Sequence, residues 1–208
     1  MKNLLFAGAL ALLPFSASAQ EVFVDPLLYD VSGVASDDVL NVRESADASS
    51  PIIGAFGPYE GQIEVIGLAP GGRWGLVNFE DRSGWVAMRF MTPSSARTTS
   101  PDGFLCNGNE PFWSLAFQPG DAMLADFSPM GIGNGPALMS GWSKAVQNRD
   151  YGRFGFSGQS GSIGLSGIIS LELCHDGMSD RAYGYAIDLI IDGAERLVIS
   201  GCCNIRSN

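Results

Sequence analysis

The sequence predicts an all-β protein of two successive domains, a small barrel of short strands and then a second, disulfide-linked antiparallel β-barrel or sandwich. Three observations lead there. Apolar and polar residues alternate over short runs, the period of a half-buried strand. Gly, Pro, Asn or Asp fills nearly every gap between those runs. No segment keeps a three-four helical spacing free of glycine.

Met1-Lys2, the apolar run Leu4 to Phe15 and the small-residue end Ala17-Ser18-Ala19 fit a secretory signal peptide over residues 1–19, too short to stay as a spanning helix. Cleavage near Ala19 leaves Gln20 first, with no cysteine there for a lipid anchor. The expected location is therefore the periplasm or the exterior, with no membrane anchor in the mature form. The net charge of −10 becomes −11 once Lys2 is lost. Such a field repels nucleic acid and anionic lipid. Residues 20–95 hold 4 basic and 11 acidic side chains against 7 and 11 in residues 96–208, so a partner of the first half is expected to be cationic or zwitterionic.

Glu21–Ser36, with Val22, Val24 and Leu27-Leu28 around Pro26, reads as an edge segment packed on the first barrel. In Leu40-Asn41-Val42-Arg43 the apolar residues alternate, and the polar loop Glu44–Ser50 follows. Pro51–Phe56 forms a second apolar run, closed by the turn Gly57–Gly61. Ile63 and Val65 mark a third strand, Trp74, Leu76 and Val77 a fourth, and Gly84-Trp85-Val86 a fifth, with Pro70-Gly71-Gly72 breaking the middle. Five such strands in so short a span describe a small closed barrel. Thr92–Asp102 has two prolines and no strong hydrophobe, the composition of an exposed linker.

The order L-N-V-R, P-x-I-G, the E-V strand, R-W and G-W-V over residues 38–91 closely resembles a bacterial SH3 domain of the cell-envelope type. The resemblance implies an SH3-like barrel that binds a peptide through its loops. Residues 20–91 are assigned to this domain, 92–102 to the linker and 103–208 to the second, all-β envelope domain.

In the second domain, strands are expected at Phe112–Phe117, Ala122–Phe127, Gly141–Val146, Arg153–Ser157, Ile163–Cys174, Ala182–Ile191 and Arg196–Cys203, with room for a short helix near Gly131–Ala137. Tyr183, Tyr185, Ile187, Leu189 and Ile191 share one face, and Asp192-Gly193 starts a hairpin. Four cysteines in an exported chain read as two disulfides, for which three connectivities exist. Cys202 and Cys203 are neighbours on a strand and point to opposite faces, so Cys106 and Cys174 are their partners. The motifs C-x-G-x-E-P-F-W at Cys106–Trp113, C-x-D-G-M-S-D-R at Cys174–Arg181 and the final G-C-C resemble a family of small bacterial envelope proteins of uncharacterised function. That resemblance implies a Cys174–Cys202 bridge and leaves Cys106 with Cys203.

The chemistry-bearing residues are weighed next. His175 with Ser179 and Asp180 has the types of a hydrolytic triad, but all three share one short loop and no nucleophile elbow accompanies them. Cys174, His175, Cys202 and Cys203 are metal-ligand types, but paired thiols cannot ligate. Neither a catalytic residue, a metal nor a cofactor is therefore expected. Glu110, Asp176, Ser179, Asp180 and Arg181 form a candidate second-domain surface, with Arg181 expected to fork onto Glu110 or Asp180. Glu110 and Asp180 as a glycosidase pair earn no support. In the first domain Trp74 and Trp85 read first as packing residues. Tyr59, Trp74, Glu44, Glu80 and Asp81 fall on predicted loops, and Tyr59, Trp74, Glu44 and Asp81 are the candidate ligand-binding residues. The expected function is that of an exported, non-enzymatic envelope binding protein, engaging a peptidoglycan peptide or an envelope protein. The rival expectation is an inhibitor or scaffold for an envelope hydrolase such as lysozyme.

Overall fold

The structure, a computed structural model, describes residues 21–95, 103–117, 125–129, 137–144, 152–194 and 196–205. The first domain comprises β1 (Phe23–Val31), β2 (Leu40–Arg43), β3 (Ile52–Phe56), β4 (Ile63–Leu68), β5 (Trp74–Phe79), β6 (Arg82–Ala87), a 3-10 turn at Met88–Phe90 and β7 (Met91–Pro93). The second comprises β8 (Phe104–Asn109), β9 (Phe112–Phe117), β10 (Ala125–Pro129), β11 (Ala137–Lys144), β12 (Arg153–Ser160), β13 (Ile163–Cys174), β14 (Tyr183–Asp192) and β15 (Arg196–Ile205). The protein is all-β, as expected, and neighbouring strands within each sheet pair antiparallel. The possible helix near Gly131–Ala137 and most of the linker lie outside the described residues.

The first domain is one seven-stranded sheet in the order β3-β2-β6-β5-β4-β1-β7. Among the described residues hydrogen bonds do not close it, which corrects the expectation of a closed barrel. It still wraps one core, because Phe56 on edge strand β3 and Met91 on edge strand β7 join the same cluster as Val42, Val65, Val77 and Val86. The Glu21–Ser36 segment is not an edge: β1 lies between β4 and β7. Pro26 is tolerated there because the β1–β4 register shifts between Val24 and Leu27, which takes its missing N–H out of the ladder. β7 extends the sheet into the segment read as linker, with Thr92 opposite Asp30 and Pro93 opposite Tyr29.

Ile66, Leu76 and Trp85 are also buried, but on the reverse face of the same strands, in a cluster completed by Ala182 of the second domain. Strands buried on both faces read as continuous apolar runs, which is why I-E-V-I-G-L and S-G-W-V-A carry so few polar residues.

β8 to β15 close into an eight-stranded barrel in the order β10-β11-β12-β13-β14-β15-β8-β9. β14 buries Tyr183, Tyr185, Ile187, Leu189 and Ile191 and exposes Asp188 and Ile190, the expected division of faces. β8 was not among the expected strands. Its inward positions are Phe104, Cys106 and Gly108, and a Cβ on Gly108 would collide with the Trp113 indole opposite it. The β8–β9 turn is Glu110-Pro111, whose peptide bond is cis. Both disulfides form as expected, Cys106–Cys203 and Cys174–Cys202, closing separations of 97 and 28 residues, and no described cysteine is free. Cys203 turns inward with Cys106, while Cys202 turns to its partner on β13.

Candidate binding sites

The loop between β13 and β14 organises much of the second domain's surface. Asp176 builds it: one carboxylate oxygen accepts the N–H groups of Met178 (3.0 Å) and Ser179 (2.9 Å), and the other accepts the hydroxyls of Ser179 (2.9 Å) and Tyr183 (3.0 Å). Burial works to raise this carboxyl's pKa, but the donors from Ser179, Met178 and Tyr183 outweigh it and hold the group below the usual carboxylate range. The same bond, together with burial, raises the Tyr183 phenol.

This geometry bears on the triad residues. Ser179 Oγ donates to Asp176, and His175 Nδ1 lies 3.2 Å from the Arg181 carbonyl. Serine and imidazole thus face different partners, both of which serve the loop's own shape. The four cysteine sulfurs are consumed in disulfides, so the set Cys174, His175, Cys202 and Cys203 has lost its thiolate ligands.

The E-P-F-W and D-G-M-S-D-R segments are neighbours, as the disulfide pattern implied: Asn109 Nδ2 donates to the Asp176 carbonyl at 2.5 Å. Between them lies an open groove of about 1030 Å³, bordered by Glu110, Phe112, His175 and Met178 and floored by Gly201 and Cys202. Phe112 and Met178 are exposed at 47% and 67%, which gives it an apolar rim.

The expected Arg181 fork onto Glu110 or Asp180 does not form. Arg181 turns toward the first domain instead, where Nη1 donates to the Glu80 carbonyl at 3.0 Å and the guanidinium lies over the Tyr183 ring. The reason lies in its neighbours. Asp180 pairs with Arg82 as a parallel bridge, its carbonyl accepting from Ser83 N–H at 2.9 Å and its N–H donating to the Asp81 carbonyl at 3.0 Å. Next in line, the Asn78 amide clamps Ala182 from both sides, donating to its carbonyl and accepting its N–H. Residues 180–182 therefore act as a short strand laid along the β5–β6 hairpin.

Two further contacts join the domains. Ile205 N–H donates to Glu64 Oε1 at 2.9 Å, and Pro26 sits where a Cβ of Gly184 would be. Leu28 is also buried in the second domain's core cluster.

The candidate ligand-binding residues of the first domain thus divide. Asp81 lies on the hairpin that the second domain covers, held there through its backbone. Trp74 is partly buried against Ile66, Leu76 and Trp85, a packing position. Glu44 and Tyr59 are exposed, Tyr59 at 82%, in the loops before and after β3. Sequence reasoning missed Ile52, 55% exposed on β3, because an apolar strand residue reads as core. It also missed Glu64, Gln62 and Asn78 at the domain interface; a polar side chain inside an otherwise apolar strand was the available signal for Glu64 and Asn78.

Residues 38–92 match the family model of the bacterial SH3 domain. No curated protein and no solved structure matches the chain.

Proposed function

We propose that this protein is an exported, non-enzymatic binding protein of the cell envelope, which engages a peptidoglycan peptide or an envelope protein through its bacterial SH3 domain. The family match over residues 38–92 carries the reading. The leader-like residues 1–19 and the two disulfides support export, since such bridges persist in oxidising compartments.

The surface best suited to the partner is the β3 edge. Among the described residues β3 pairs only with β2, so one side of its backbone is open to an added strand; Ile52 on β3 and Tyr59 in the loop after it are exposed apolar area. Retention of the mature protein on purified peptidoglycan sacculi tests this. Tyr59→Ala and Ile52→Lys are expected to weaken retention while leaving the fold intact, because both side chains are exposed. Absence of retention at every ionic strength would overturn the reading.

The acidic charge favours a second reading, inhibition of a basic envelope hydrolase such as lysozyme, since opposite charge accelerates encounter. Lysozyme turnover measured at low and moderate salt decides it, and indifference to the added protein removes it.

A further inference from the structure

The seam between the domains holds an open pocket of about 360 Å³, within the range that holds small molecules. Glu60, Gln62 and Glu64 enter it from the first domain and Arg181 from the second, while Phe56 and Leu105 supply apolar wall. Two buried polar atoms of these lining residues, Gln62 Oε1 and Arg181 Nε, have no hydrogen-bond partner. Native proteins seldom leave such groups unpaired, and each instance calls for a cause. Gln62 also sits at φ 58, in the left-handed region, with its N–H fixed by Asp30 Oδ1 at 2.8 Å. Glu64 spends one carboxylate oxygen on the Ile205 N–H.

These groups specify a ligand by their chemistry. The Glu60 and Glu64 carboxylates accept hydrogen bonds, so the ligand must donate; the Arg181 guanidinium donates, so it must also accept. A simple anion would meet Glu60 and Glu64. A metal ion or simple amine would meet the guanidinium. A molecule bearing an ammonium and a carboxylate together satisfies both ends. We propose that this interdomain pocket binds a free amino acid or dipeptide as a zwitterion, its ammonium against the Glu64 carboxylate and its carboxylate against the Arg181 guanidinium. The site shares Phe56 with β3 but uses neither Ile52 nor Tyr59, so its test stands whatever the sacculus experiment returns.

Calorimetric titration of the full protein with dialanine tests the assignment, using N-acetyl-dialanine and dialanine amide as probes that each lack one charge. Dialanine is expected to bind saturably at millimolar concentration or below and to raise the melting temperature, because a ligand held by both domains stabilises the joined state. Each blocked form is expected to bind at least about tenfold more weakly. Glu64→Gln, which keeps the acceptor for Ile205, is expected to show a similar loss for dialanine.

Proton release on binding is a further readout near neutral pH. Burial holds the Glu64 carboxyl up at about 7 despite the Ile205 N–H and Arg181, and the arriving ammonium favours its ionised form. Asp25, Tyr185 and Glu60 are the other titratable groups around it. No saturable binding of dialanine, equal binding of the blocked forms, or unchanged binding by Glu64→Gln would each overturn the proposal.

Discussion

Glu64 makes the folded protein sensitive to pH in a direction opposite to most carboxylates. Burial between the domains raises its pKa from 4.5 to about 7, a gap on the order of 3 kcal/mol at 1.36 kcal/mol for each tenfold change in proton affinity. The sign follows from which state holds the proton. Between those two values the folded chain keeps a proton that the unfolded chain has released, so stability is greatest below the unfolded value and is lost as pH rises through the folded one. Integrating both titrations places most of that loss, roughly 2–3 kcal/mol, between about pH 5 and about pH 8. Urea unfolding across that range measures it directly. Glu64→Gln keeps an oxygen for the Ile205 N–H but cannot ionise, so its stability is expected to stay flat where the wild type falls. Parallel wild-type and Glu64→Gln curves would refute the argument, since the loss would then come from other groups.

Replacing Cys106 and Cys203 by serine is expected to cost about 4.7 kcal/mol and replacing Cys174 and Cys202 about 3.6 kcal/mol, from the 97- and 28-residue separations, with denaturant midpoints giving the order. Thiol titration of the denatured, unreduced protein should find no free sulfhydryl. Asp176→Ala is expected to cost about 2–4 kcal/mol, because it strips partners from Met178, Ser179 and Tyr183. Asp176 has a lowered pKa, so its stabilisation is present above the unfolded value and fades as pH falls through the folded one; Asp176→Asn should flatten that acid limb. Gly184→Val is expected to force Pro26 off the second barrel at a cost of about 1–3 kcal/mol, visible as a lowered melting temperature and faster proteolysis near β1.

Much of the fold was legible because alternation and turn chemistry are local. β9 and β13 fall where the pattern of apolar residues puts them, and the five inward residues of β14 can be read from spacing alone. That Cys202 and Cys203 take separate partners was legible because adjacent strand residues must face opposite ways, while the choice between Cys106 and Cys174 for each came only from the family resemblance. β8 was obscured by Asn107, Gly108 and Asn109, which look like turn residues until the Trp113 indole across the hairpin explains the missing side chain. β1 was obscured by Pro26, whose place in an inner strand depends on a register shift no local pattern reveals. The domain interface was the least legible feature. Its contacts run largely through the carbonyls and amides of Glu80, Asp81, Asp180 and Ala182, and backbone groups carry no residue signature. Arg181 illustrates this: the sequence supplies acids as partners, but the carbonyl it reaches is 101 positions away.

Both sulfur bridges, and the amide that meets Glu64, converge on β15, the last of the described strands. Until β15 has taken its place beside β8 and β14, Cys106 and Cys174 lack their native mates and can pair only with each other or with passing thiols. Oxidation to the native pairing therefore waits on that strand, and a catalyst of thiol exchange acting after it docks would set how much of the chain reaches its finished form.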